Sequence, residues 1–507
     1  MNHNDRRRTQ ETGTNRQQWA ALSLVLTALL LQPFCPARAA ERPPNVILIV
    51  ADDMGYADLG CQGARGFKTP QLDRMAAEGT RFTSFYVAQA VCTASRAALL
   101  TGCYPNRVGL QGALNHTSRD GLHPDEWLLP EMFKERGYAT AGFGKWHLGT
   151  RPKFHPLRSG FDEWLGIPYS NDNSKFHPSL AGEMPPLPLQ DGEKVVETDP
   201  DQSRFTQRFT VRAIDFIERN AERPFFVYLP HVMPHVPIFA SEKFKGRSAA
   251  GLYGDVMEEL DWSVGEILAT LQRLKLDEQT LVIFMSDNGP FLSYGSHAGS
   301  AAPLREGKLT AFEGGVRVPC LVRWPGRVPH GRVSNEPFMA IDWLPTLTEL
   351  IGGKAPVKKT DGLSVKGLLL GEPGTRAPHE ALFFYSGDEL QAVRSGPWKL
   401  HFPHAYLTVA ADPGRDGKPS NWGRLAPKAI TQSGVEGIAS RHGYRVAQLE
   451  LSLFNVVDDP GETRNLAAQN PDAVRRLSAL AQDMRRDLGD TLQKTSGGGV
   501  RAAGVDP

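Results

Sequence analysis

The chain has 507 residues, 57 Lys plus Arg against 56 Asp plus Glu, and 40% hydrophobic side chains. This composition excludes an intrinsically disordered chain, and the near-neutral balance excludes a polycation built to coat nucleic acid. Five cysteines over this length are too few for a disulfide scaffold, and no CxxC pair suggests zinc or an iron–sulfur cluster.

In chain order, residues 1–39 read as a signal peptide. Arg6, Arg7, Arg8 and Arg16 precede the apolar run from Trp19 to Leu31, and Ala37, Ala39 and Ala40 offer a small-residue cleavage site. The run falls short of the ~20 apolar residues that span a bilayer, so the mature chain is expected to begin near Ala40 with no membrane span. Export to the periplasm or the medium follows.

From Asn45 onward, apolar runs end in polar clusters. Val46–Val50 precedes Asp52 and Asp53, Phe225–Leu229 precedes His231, and Leu281–Met285 precedes Asp287 and Asn288. Stretches with apolar residues at three- and four-residue intervals alternate with them: Gln71–Glu78, Gln207–Arg219 and Val256–Leu274. Strands alternating with helices predict an α/β fold, a large and mostly parallel sheet sandwiched by helices, over residues 40–371. In such sheets ligands bind beyond the carboxyl ends of the strands, where the polar clusters fall. Residues 372–495 change rhythm. Ala381–Tyr385, Leu390–Val393 and Trp398–Phe402 are short and closely spaced, and a helical stretch follows at Asp472–Leu492, which predicts a small antiparallel sheet plus helix. Thr408–Gly437 is rich in Gly, Pro and polar residues and reads as an irregular loop; residues 496–507 read as a disordered tail.

Asp52 and Asp53 are adjacent carboxylates at a strand end, where the pleat sends neighbours to opposite faces. A hard divalent cation would make them converge, and Asp287 with Asn288 supplies two more oxygen donors at another strand end. Either pair alone is more simply a helix or turn cap; together they point to calcium or magnesium. Cys92 stands at the start of a helix whose stop is Gly102. That position should lower the pKa of a free thiol and attract a sulfate or phosphate. Lys145 and His147 are two apart, so an extended backbone would place both on one face with Trp146 toward the core. Prolines around His231 and His235 forbid a helix there. Lys308, taken alone, is an ordinary loop lysine.

These motifs are collinear with a known pattern. On Asn45–Gly55, Val91–Arg107, Gly142–Gly149, Pro224–Pro237, Ser286–Gly289, Gly307–Pro319 and Leu453–Ala467, the chain resembles the formylglycine-dependent sulfatases of the alkaline-phosphatase-like superfamily. Asp287-Asn288-Gly289-Pro290 and Gly307–Pro319 place it near the arylsulfatase A and N-acetylgalactosamine-6-sulfatase branch. The resemblance implies that Cys92, in a Cys-X-Ala-X-Arg signal with Ala94 and Arg96, is converted to formylglycine by a maturation enzyme. It implies one calcium ion on Asp52, Asp53, Asp287 and Asn288 that also touches position 92, with Arg96, Lys145, His147, His235 and Lys308 around a sulfate ester. The implied substrate is a sulfated carbohydrate or an aryl sulfate. Two alternatives keep the fold: a phosphodiester or phosphonate monoester hydrolase, and a silent protein that only binds sulfated glycans.

Overall fold

The computed structural model describes residues 42–506 apart from Ser433. The expected signal peptide lies outside the described residues. Among those described, no helix is long and apolar enough to cross a membrane.

Ten strands build the main sheet: β1 (Asn45–Ala51), β2 (Thr80–Phe82), β3 (Ala139–Lys145), β4 (Glu163–Ile167), β5 (Pro188–Asp191), β6 (Lys194–Thr198), β7 (Phe225–Pro230), β8 (Thr280–Ser286), β9 (Cys320–Arg323) and β10 (Arg332–Ser334). Their spatial order is β10-β2-β9-β8-β1-β7-β3-β4-β5-β6. The five central strands from β8 to β4 are parallel, and antiparallel pairings flank them at β9 and β5. In β1, Val46, Leu48 and Val50 enter one apolar cluster, whereas Ile47, Ile49 and Ala51 enter the other. Both faces are therefore buried, which is why the strand reads as a continuous apolar run rather than an alternating one.

Helices α1 (Pro70–Ala77), α3 (Phe205–Arg219) and α4 (Gly251–Arg273) cover one face. Helix α2 (Cys92–Thr101) lies in the core of the other. As expected, α2 ends at Gly102, which takes the left-handed φ of +66° and donates its N–H to the Ala98 carbonyl at 3.0 Å. A smaller antiparallel sheet joins β11 (Leu382–Ser386), β12 (Glu389–Ser395), β13 (Trp398–His401) and β16 (Ser452–Asn455), with α6 (Pro471–Leu488) behind it. Strands β14 (His404–Val409) and β15 (Tyr444–Leu449) form a separate ribbon. Leu390, Val393, Leu477 and Ala481 share one apolar cluster with Leu99 and Leu100 of α2, so the small sheet packs onto the same core.

Two expectations are corrected. The segment expected to be irregular as far as Gly437 contains the start of helix α5 (Gly434–His442). The tail expected to be disordered is built: Gly504–Val505 pairs with Asp120–Gly121, and the Arg501 guanidinium meets Glu126 at 2.7 and 2.8 Å. Its glycine-rich composition signals a lack of local propensity; partners distant in sequence supply the order instead.

Candidate active site

The polar strand ends converge. Asp53 leaves β1 with φ of +68°, a left-handed conformation costly for a residue with a Cβ, and its N–H donates to Asp287 Oδ1 at 3.2 Å. That bend answers the problem of adjacent carboxylates, since Asp53 no longer follows the pleat that would turn it away from Asp52. Asn288 Nδ2 donates to Asp53 Oδ1 at 2.7 Å, whereas its buried Oδ1 has no partner. One ligand atom each of Asp52, Asp53, Cys92 and His235 lies within 4.8 Å of the others. Asp287 sits beside that group, with its Oδ2 held by Arg96. An orphaned amide oxygen among buried carboxylates is a donor set that fits a hard cation such as calcium. Burial, with the neighbouring charge of Asp52, pushes Asp287 up to about 7. Asp52 is also buried, but Lys145 and Arg96 hold its carboxyl far below the usual range.

The cations come from elsewhere in the chain. Arg96 Nη2 bridges Asp52 Oδ2 at 3.2 Å and Asp287 Oδ2 at 2.8 Å, and Nη1 donates to the Lys145 carbonyl at 2.8 Å. It does not line the cavity; it pins the strand ends from behind. Lys145 Nζ donates to Asp52 Oδ2 at 2.5 Å and to Ser170 Oγ at 3.2 Å. Lys308 Nζ lies 2.7 Å from Asp53 Oδ1 and 3.2 Å from Cys92 Sγ. Asp52, Asp53 and Asp287 thus face Arg96, Lys145 and Lys308, three negative groups against three positive ones.

Cys92 Sγ lies 3.4 Å from Asp52 Oδ1 at the first turn of α2. The expectation of a lowered thiol is overturned: burial, reinforced by Asp52, pushes it up to about 12. Desolvation outweighs the helix terminus here.

The expected shared face of Lys145 and His147 is also modified. β3 ends at Lys145, and His147 takes φ of +62°, so the backbone between them is not extended. Trp146 is buried as expected, donating to the Phe154 carbonyl at 2.8 Å. His147 Nε2 lies 2.6 Å from the Leu114 carbonyl and must carry the proton; Nδ1 is buried without a partner. Burial and Lys145 hold this ring well below its ordinary value, so it is neutral. His235 places Nδ1 2.5 Å from the Val236 carbonyl and Nε2 3.6 Å from Asp53 Oδ2. His231 lies apart, against Ser263 at 3.1 Å.

Cys92, His147, His235 and Lys308 floor a cavity of about 610 Å³. Sequence reasoning missed Ser170, Asp172, Arg441 and His442 in its wall.

The family model described as Sulfatase matches residues 44–353, and one described as the C-terminal region of aryl-sulfatase matches residues 377–499. The chain is 43% identical over 491 residues to N-acetylgalactosamine-6-sulfatase of Canis lupus familiaris, covering 92% of this chain and 90% of that one. It is 37% identical to arylsulfatase A of Homo sapiens, with 94% of each chain covered. The crystal structure of PsFucS1 sulfatase from Pseudoalteromonas sp. matches with a TM-score of 0.76 and 25% identity, covering 97% of each chain. Fold, site and relatives together define a sulfuric ester hydrolase on an alkaline-phosphatase-like scaffold. The chain belongs to the sulfatase family.

Proposed function

We propose that this sulfatase works through a formylglycine made from Cys92 by a maturation enzyme, beside one calcium ion held by Asp52, Asp53, Asp287 and Asn288. The carrying observation is the convergence of those residues with Lys145, His147, His235 and Lys308 on Cys92 at the floor of one cavity. A thiol pushed up to about 12 is a poor nucleophile at neutral pH, so position 92 needs another group to attack with. The hydrate of a formylglycine supplies a hydroxyl there. Calcium, when bound, supplies a fixed positive field for the sulfuryl oxygens.

The chain's own groups do the rest. With Asp287 ionised beside a bound cation, three carboxylates match the three cations around them, so one divalent ion would leave the site positive, as a monoanionic ester requires. Lys308 presents its ammonium group to that ester in the cavity, Lys145 adds its charge from behind Asp52, and Arg96 keeps Asp52 and Asp287 from swinging away. His147 Nδ1, neutral and unpartnered, is placed to take a proton from a hydroxyl at position 92. Lys308 is the group placed to give the departing alcohol oxygen its proton; His235, whose Nδ1 proton is held by the Val236 carbonyl, presents an acceptor at Nε2.

The substrate is a sulfated carbohydrate or an aryl sulfate, and the protein acts after export. Mass spectrometry of the peptide containing residue 92, from active protein, should show an aldehyde in place of the thiol. Cys92→Ser should stall after one turnover as a sulfated serine. Steady turnover by that variant, or an unmodified thiol in fully active protein, would overturn the reading.

A further inference from the structure

Helix α5, the segment before it and the loop after β4 contribute to the lining of the cavity. Ile430, Val435 and Ile438 give it an apolar surface with Arg441 at its base. Arg441 is only 6% exposed. Its Nη1 donates to the carbonyls of Ala429 at 3.2 Å and Gln432 at 2.6 Å, but Nε is buried without a partner. Among the described residues no carboxylate pairs with it. A guanidinium buried with one edge unbonded is costly unless something else binds that edge.

Asp172 lines the same cavity. One carboxylate oxygen accepts Asn173 Nδ2 at 3.0 Å, and the other makes no hydrogen bond among the described residues. The charge of Asp172 acts on Arg441, yet the two are not in contact. His177 adds another free donor nearby: its Nδ1 accepts the N–H groups of Ser179 and Leu180 at 3.2 and 3.0 Å, leaving Nε2 buried and unpartnered. Phe291 and His442, with ring centroids 5.0 Å apart and planes tilted by 44°, add ring surfaces to the same cavity.

An unbonded acceptor, an unbonded donor and a ring surface form the set that engages a hydroxylated ring: one hydroxyl donates to a carboxylate, its neighbour accepts from a guanidinium, and the C–H face rests on an aromatic side chain. We propose that Asp172 and Arg441 are the specificity-determining residues of this sulfatase and read neighbouring hydroxyls of an uncharged sugar leaving group. A second anion on the leaving group would meet Arg441 but also Asp172, and Asp388 and Glu389 on the far wall, so the balance favours a neutral ring. The inference rests on the sulfatase chemistry proposed above and narrows its substrate.

The test compares kcat/KM for a monosulfated neutral sugar and for an aryl sulfate, using protein whose residue-92 peptide carries the aldehyde. Asp172→Asn and Arg441→Gln should each lose about 10- to 100-fold on the sugar sulfate, mainly through KM, the range expected for one buried polar contact. On the aryl sulfate Arg441→Gln should stay within about threefold of wild type, because that leaving group does not contact it. Asp172→Asn, whose charge also acts on His235 and Lys145, should shift both substrates by a common factor and lose a further ~10-fold or more on the sugar alone. Equal losses on both substrates would reduce the pair to a structural role and overturn the proposal. So would unchanged sugar kinetics, or a wild-type preference for uronate-bearing or doubly sulfated sugars. Aryl sulfate turnover by wild type separates failure of this proposal from failure of the chemistry beneath it.

Discussion

The cluster around Asp52, Asp53 and Asp287 and a second around Glu313, Lys399 and Glu462 are both buried and crowded with carboxylates. Each holds one acid pushed up to about 7: burial and then Asp52 act on Asp287, whereas burial dominates for Glu462. In the second cluster every carboxylate oxygen has a donor. Glu313 accepts from Lys399 Nζ at 2.9 Å and Tyr86 Oη at 2.7 Å; Glu462 accepts from His401 Nε2 at 2.8 Å and the Glu313 N–H at 2.6 Å. In the first the carboxylate oxygens have donors as well, but His147 Nδ1 is left without a partner at the wall of the cavity, whereas the unpartnered His401 Nδ1 of the second cluster does not line it. Perturbed acidity alone therefore does not mark a reaction centre; unsatisfied donors and acceptors facing open space do.

Removing the lysine from each cluster sharpens the contrast. Lys308→Ala should lower kcat by about 10²- to 10³-fold, the usual cost of deleting one preorganised charge at a reacting group. Lys399→Met should instead cost about 3–5 kcal/mol of stability by leaving Glu313 and Glu462 uncompensated, read as a lower denaturant midpoint, with kcat per folded molecule unchanged. Equal kinetic damage from both substitutions would erase the distinction. The smallest effect concerns pH. A carboxyl raised to about 7 from an ordinary 4.5 contributes stability that is fully present below about 4.5 and is lost as pH climbs through 7. Glu462→Gln mimics the protonated form, so between pH 5.5 and 8 it should lose about 1–2 kcal/mol less stability than wild type. Parallel pH-dependent decline in both proteins would place the titrating group elsewhere.

The parallel sheet was legible because buried strands leave unbroken apolar runs, and the floor of the site was legible because each run hands polar residues to the loop after it. Gly102, Trp146 and the Asp52–Asp53 and Asp287–Asn288 pairs illustrate this. Two kinds of information were not legible. The acidity of Cys92 depends on how much chain closes over it, which no local motif states. Asp172 and His177 lie in a connecting segment and Arg441 near the end of the short helix α5, and their mutual approach depends on the tertiary fold rather than on the periodicity that revealed the longer strands and helices. The tail shows the same limit, since Gly504–Val505 finds its order at Asp120–Gly121.

The left-handed backbone at Asp53 and His147 has a cost of its own. Each conformation stores about 1 kcal/mol or more that glycine would release. Asp53→Gly and His147→Gly would relax the main chain while deleting the groups that justify the tension. At Asp53 the lost ion pair to buried Lys308 would outweigh that relaxation, so selection for thermal robustness alone would push only His147 toward an inert protein.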